Sequence, residues 1–237
     1  MRRIRALTPI VVFPIVVFVA ASALAQARSG IDYADDEIRK LQASDAENPG
    51  MLWVDRGAAL FGKHCSSCHA PGSMKGVAAR YPQVVDGRVV NLEAKLRHNG
   101  PGFAYESQEL LSLAAYVAHE SRGMPFAQKI TPEQAARGRL EYHRRRGQMN
   151  LSCAHCHEAN PGKKLGSETL SQGQPNGYPA YRLEWQTLGS LHRRLRACMY
   201  GLHAELPDYG SDLLLDLELF LAVRAAGLPV ETPAVRR

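Results

Sequence analysis

The sequence predicts an all-α protein of two small domains in tandem, and three observations predict it. A cysteine–histidine motif occurs twice, at "CSSCH" (Cys65, Cys68, His69) and "CAHCH" (Cys153, Cys156, His157), 88 residues apart. Each copy follows a helical stretch and precedes a polar loop and a helix with an apolar face. Runs with the alternation of a strand are few and short. The chain thus repeats one plan internally: helix, motif, loop, helix.

Taken in order, Arg2, Arg3 and Arg5 precede an apolar stretch from Pro9 to Ala20, and Ala23-Leu24-Ala25 offers small residues for cleavage. Residues 1–25 are therefore expected to be a signal peptide, removed on export. The run is short for a bilayer span and carries Pro14, and no later run is long enough to be one. A mature chain without a membrane span, in the oxidising periplasm, is expected. Residues 26–48 read as a polar, amphipathic N-terminal arm.

The first domain is expected over residues 49–126. Its opening helix is "MLWVDRGAALFGKH", and "SQELLSLAAYVAHESRG" closes it, with Ser107 as N-cap and Gly123 as C-cap. The second is expected over residues 127–237. "TPEQAARGRLEYHRRR" opens it with Thr131 as N-cap, Pro132 at the first helical position and Gln134 completing a capping box. "SDLLLDLELFLAVRAAG" closes it between Ser211 and Gly227, and Pro125 and Pro132 interrupt helix at the junction.

C-x-x-C-H is the attachment signature of c-type haem. Two thiols one helical turn apart reach the two vinyl groups of a porphyrin, and the adjacent histidine turns under the ring to ligate iron. A chance match in a chain of this composition is expected at a frequency of about 0.004, so two are not accidental. A zinc site would use paired C-x-x-C units without needing a histidine after each. Two covalently bound haem c groups are therefore expected. Cys65, Cys68, Cys153 and Cys156 would attach them, with His69 and His157 as axial ligands, and each haem would centre one cytochrome c-type domain.

The net charge of +6 does not indicate nucleic acid. Residues 1–25 hold three of the arginines and no acid, and four haem propionates would cancel the remainder. Local basic runs persist at Arg144-Arg145-Arg146 and at Arg193, Arg194 and Arg196.

A fifth cysteine, Cys198, stands apart in "RRLRACMYG". Cys198, Met199, His192 and His203 are the candidates for the second haem's other axial position, and position along the chain does not choose among them. A helix over 188–200 would put Arg194 on the face of Cys198, one turn earlier.

The stretches "RRGQMNLSCAHCH" (145–157), "GYPAYRLEWQTLGSLHRRLRACMYGLHAE" (177–205), "LELFLAVRAAGLPVETPAVRR" (217–237) and "YESQELLSLAAYVAHESRGMP" (105–125) closely resemble the SoxA family. These are dihaem cytochrome c subunits of the SoxAX complex of bacterial sulfur oxidation, and the resemblance covers about residues 32–237. It implies an L-cysteine S-thiosulfotransferase. With a small SoxX-like monohaem cytochrome c, such a subunit joins thiosulfate oxidatively to a cysteine of the carrier SoxYZ and passes two electrons to an external cytochrome c. It also implies that Cys198 ligates the active-site haem, in the family commonly as a persulfide. A thiolate ligand lowers an iron potential, which suits sulfur chemistry. Arg194 would hold the anionic sulfonate group by paired charge-assisted bonds, while Arg193 and Arg196 would face elsewhere, one of them toward a propionate or a partner's acids.

The first haem departs from the family pattern. Typical members carry a ligating cysteine in a C-R pair after "NLE", but "NLEAKLRHNGPGF" (91–103) has none. Asn99 falls near that position and His98 beside it, so His98 is the expected ligand, with Met74, His119 and Met124 as further donors. Two other readings have distinct requirements. A plain dihaem electron carrier needs Met or His on the second haem and no Arg194. A dihaem peroxidase needs one open distal position, which the crowd of donors argues against.

Overall fold

A computed structural model describes residues 26–70 and 72–237. The expected signal peptide, residues 1–25, lies outside the described residues. None of the described helices is long and apolar enough to cross a membrane.

The chain opens with α1 (Asp36–Ala43), capped by the Asp35 carboxylate, which accepts from the Ile38 N–H. α2 (Met51–His64) runs straight into the first motif, and Cys65 N–H closes on Phe61 O at 2.8 Å. A hairpin of β1 (Gln83–Val85) and β2 (Arg88–Val90) turns at Asp86-Gly87, both at positive φ. This is the Asp-Gly geometry that two-residue hairpins favour. α3 (Leu92–Asn99) follows under an Asn91 cap, and α4 (Gln108–His119) begins at the expected Ser107, whose Oγ accepts from Leu110 N–H. α4 stops short of Gly123, which binds instead across the molecule.

The next segment opens on the expected capping box: Thr131 N–H donates to Gln134 Oε1 at 2.9 Å, and Gln134 N–H to Thr131 Oγ at 3.3 Å. Regular α5 (Ala136–His143) starts only after it. α6 (Cys153–His157) is the second motif itself. The small hairpin β3 (Lys164–Leu165) and β4 (Glu168–Thr169) leads to β5 (Ala180–Arg182), β6 (Thr187–Gly189), α7 (Leu191–Gly201), α8 (Asp212–Arg224) and β7 (Ala234–Arg236).

The all-α expectation is incomplete. β5 lies centrally in a three-stranded sheet, antiparallel to β6 and parallel to β7. Strands of two or three residues are too short to show an alternation in sequence. Their pairing depends on bringing the C-terminus to β5, more than fifty residues earlier. The arm does that: Gln42 Oε1 accepts from Val235 N–H at 3.0 Å, Asn48 Nδ2 donates to Pro233 O, and Arg237 pairs with Asp35. Residues 26–48 are thus a clamp on the C-terminal strand.

Two pairs of helices cross in a similar way. α2 crosses α4 where a Cβ on Gly57 would collide with the Ser112 carbonyl and lie 2.7 Å from Tyr116 Cβ. α5 crosses α8 where a Cβ on Gly138 would collide with the Asp216 carbonyl and lie 2.8 Å from Phe220 Cβ. Ser112 and Tyr116 stand five and nine residues after Ser107; Asp216 and Phe220 stand five and nine after Ser211. The segments after the two closing helices, Gly123–Phe126 and Gly227–Val230, then pair with each other. Gly123 N–H binds Val230 O, Val230 N–H binds Met124 O, Phe126 N–H binds Leu228 O and Gly227 N–H binds Phe126 O, at 2.8–2.9 Å.

A buried polar cluster also crosses this junction. Asn91 Nδ2 donates to Glu218 Oε2 at 2.8 Å, and His192 Nε2 meets the same oxygen at 3.0 Å. Glu93 is buried beside them at a cavity of about 50 Å³. Burial holds the Glu93 carboxyl up at about 8, with His192 opposing and Glu218 and Glu106 adding to the shift. The unfolded chain gives up this proton near pH 4.5 and the folded chain only near 8, so stability falls as pH rises between them. Glu93→Gln is therefore expected to flatten that decline, with a gain over wild type that grows from pH 5 to pH 8.5 in urea unfolding.

Candidate active site

The second motif is built into a wall. Ser152, buried, shares its Oγ with His155 Nδ1 at 2.7 Å, so the middle histidine of "CAHCH" is turned back onto the cap. That leaves Cys153, Cys156 and His157 lining a cavity of about 550 Å³. His157 Nδ1 donates to Ser171 O at 2.8 Å, which leaves Nε2 with its lone pair, the form in which imidazole binds a metal. Gly173 lets the backbone lie under the ring; a Cβ there would be 2.9 Å from His157 Cγ.

Across the cavity stands α7, started by Ser190 Oγ on Arg193 N–H. Cys198 and Arg194 share one face of it and both line the cavity, as the helical spacing predicts. Burial opposes ionisation of the Cys198 thiol, but Arg194 and the facing His157 outweigh it and bring the group down to about 7. Reciprocally, the Cys198 charge raises the Arg194 guanidinium above its ordinary value. The other donors are spent elsewhere. His192 accepts Gly210 N–H at Nδ1 and faces Glu218 through Nε2, Met199 is packed among Tyr142, Leu214 and Leu217, and His203 is exposed beyond the helix. Arg193 lies over Trp185 at 4.3 Å and Arg196 over Tyr209 at 4.6 Å, so each has an aromatic neighbour within the chain.

The residue set fits a c-type haem at this position. Two thiols and a free imidazole nitrogen share one wall, a thiol faces them, and the volume falls in the range of cofactor pockets. The remaining walls come from segments that sequence reasoning did not assign to the site. Tyr33 and Ile38 of the arm close one side, and Arg146, Arg182 and Arg236 bring charge to it. Arg182 had no signal in sequence beyond its place in "YPAYRLEW"; burial to 4% exposure follows only from the sheet.

The first motif is differently placed. Cys65 is half-buried, while Cys68 and His69 are exposed on the turn after α2, with the His69 ring 6.3 Å from Phe61. His98 is exposed in the last turn of α3. His119 is half-buried in the last turn of α4, its Nε2 without a hydrogen-bond partner, and Met74 and Met124 are half-buried.

The family model described as SoxA/TsdA, cytochrome c domain, matches residues 52–126. The chain is 38% identical over 230 residues to the L-cysteine S-thiosulfotransferase subunit SoxA of Pseudaminobacter salicylatoxidans, covering 88% of this chain and 80% of that protein. It is 35% identical over 227 residues to the subunit of the same name from Paracoccus pantotrophus, covering 88% and 78%. A crystal structure of SoxXA from P. pantotrophus superposes with a TM-score of 0.84 at 33% identity, covering 89% of this chain and 87% of that one. The fold is thus a helical cytochrome c fold with small sheets added, and a cytochrome c domain carries its haem covalently. The chain belongs to the SoxA family.

Proposed function

We propose that this chain is the catalytic subunit of a thiosulfate-oxidising complex, an L-cysteine S-thiosulfotransferase acting in the periplasm after loss of residues 1–25. The observation that carries the reading is the placement of Cys198 and Arg194 together across one cavity from Cys153, Cys156 and His157. Cytochrome c-like units over residues 49–126 and 127–237 would each hold one haem c. His157 and Cys198 would be axial to the second iron, His69 and His98 to the first. The repeated glycine crossings support two such units.

The haem, when bound, would supply a one-electron acceptor, and the Cys198 thiolate would be a donor to its iron. The chain's residues supply the rest. Arg194 draws thiosulfate toward Cys198. The outer sulfur of thiosulfate bonds to the Cys198 sulfur, and two electrons leave, ending on an external cytochrome c. A carrier thiolate of the SoxYZ type then attacks the former outer sulfur. The carrier departs with the thiosulfonate, and Cys198 leaves as a thiolate. A SoxX-like monohaem cytochrome c completes the complex.

The test is a mass measurement on the carrier. The haem-matured protein, purified with its small cytochrome, is mixed with thiosulfate, a SoxYZ carrier and oxidised cytochrome c. Conjugation of one thiosulfonate per carrier cysteine, with two equivalents of cytochrome c reduced, is expected. Cytochrome c reduction with an unmodified carrier would instead identify a dihaem electron carrier.

A further inference from the structure

Arg182 is a buried charge that its neighbours only partly satisfy. It ends β5 with its side chain 4% exposed, between Thr187 of β6 and Arg236 of β7 in the sheet. Its Nε donates to Glu184 Oε1 at 2.7 Å. Its Nη2 is buried and has no hydrogen-bond partner, and Glu168 Oε2 lies 3.7 Å from it. A buried guanidinium N–H left without an acceptor is costly, and buried arginines are ordinarily satisfied. Arg182 lines the cavity of Cys198.

Arg194 approaches the same carboxylate. Glu184 Oε1 lies 2.7 Å from Arg182 Nε and 3.7 Å from Arg194 Nη1, so one acidic side chain spaces two guanidinium groups on one wall. We propose that Arg182 and Arg194 form a two-guanidinium cradle in which the unpartnered Arg182 Nη2 takes an oxygen of an oxyanion head group, the sulfonate of the sulfur substrate held beside Cys198. The proposal rests on the function proposed above and adds Arg182 as its second anion-binding residue. Two forks from different elements fix a tetrahedral oxyanion in orientation, which one arginine does not. Orientation matters because only the outer sulfur of the substrate is to meet Cys198.

The test uses the oxidised, haem-matured protein and sulfate, an unreactive oxyanion, as probe. Ionic strength is held constant with chloride, and binding is read by calorimetry and by the shift of the haem spectrum. Arg182→Gln is expected to weaken sulfate binding by about 10- to 100-fold and to raise KM for thiosulfate more than it lowers kcat, with haem content unchanged. Arg182→Lys keeps a charge but cannot reach Glu184 and the anion together, and is expected to lose about 5-fold or more. Arg193→Gln, which removes a side chain stacked on Trp185, is expected to bind sulfate as wild type. Unchanged sulfate affinity in Arg182→Lys overturns the cradle even where Arg182→Gln fails to fold. Altered haem content or reduction potential with unchanged sulfate affinity also overturns it, assigning Arg182 to a resident haem carboxylate. Sulfate binding that depends on Arg182 in a protein that never modifies the carrier would leave the cradle standing and remove the thiosulfotransferase reading.

Discussion

Cys198→Met is expected to abolish thiosulfate conjugation, by at least about 10³-fold, while the protein stays folded and haem-loaded. The magnitude follows from the role. A thioether neither ionises nor leaves as an anion, so it can neither form nor release a sulfur–sulfur bond with substrate. Folding is spared because residue 198 faces a cavity of about 550 Å³ rather than the packed side of α7. That side belongs to Met199, which sits with Leu191 and Leu217 in the core. Electron paramagnetic resonance of the oxidised protein provides the second readout. A low-spin thiolate-ligated signal in the wild type should vanish in the variant, replaced by a histidine–methionine signal. Identical spectra would detach Cys198 from iron and remove the argument for bond-forming chemistry, leaving a dihaem electron carrier.

The place of Cys198 on the cavity is legible because rare residues at fixed spacing stand out in a sequence. The two C-x-x-C-H motifs, the fifth cysteine and the arginine one turn before it are readable without coordinates. Helix limits are readable where a cap marks them, as at Ser107, whereas the capping box of Thr131 and Gln134 marks only the turn that leads into α5. "VVDGRVV" carried a hairpin signal, Asp86-Gly87 between valines, that the helical pattern overshadowed. Other parts of the site have no local signal. Arg182 is buried between two strands that both follow it in sequence, one of them more than fifty residues later. The arm walls the cavity through contacts with residues about two hundred positions away, such as Asp35 with Arg237. Long-range pairing, not propensity, places these residues, and a sequence pattern records only local preference. The same holds for His98: its closeness to a family position was visible, but whether α3 aims it at iron depends on packing.

Gly57→Ala and Gly138→Ala are each expected to cost about 3 kcal/mol or more, because the added methyl meets backbone rather than a movable side chain. At Gly57 it would strike the Ser112 carbonyl of α4, and at Gly138 the Asp216 carbonyl of α8. Relief requires separating two helices along their whole contact, which loosens packing beyond the methyl itself. For a protein of this size the cost corresponds to a fall in melting temperature of about 6–12 °C. Gly62→Ala, on α2 but with nothing within 4 Å of the new atom, is the control. It is expected to be neutral or to stabilise by up to about 1 kcal/mol, through helix propensity alone. Losses within 0.5 kcal/mol of that control would show that the crossings are not close-packed. The pair also separates the two halves. Gly57 stands eight residues before Cys65 and Gly138 fifteen before Cys153, the extra length being the turn that leads into α6. This offset hides the repeat in a simple sequence comparison while the crossings keep it in space. Gly57→Ala should therefore weaken the first motif's surroundings yet leave the Cys198 signal intact, whereas Gly138→Ala, beneath the wall that holds Cys153, should lose both.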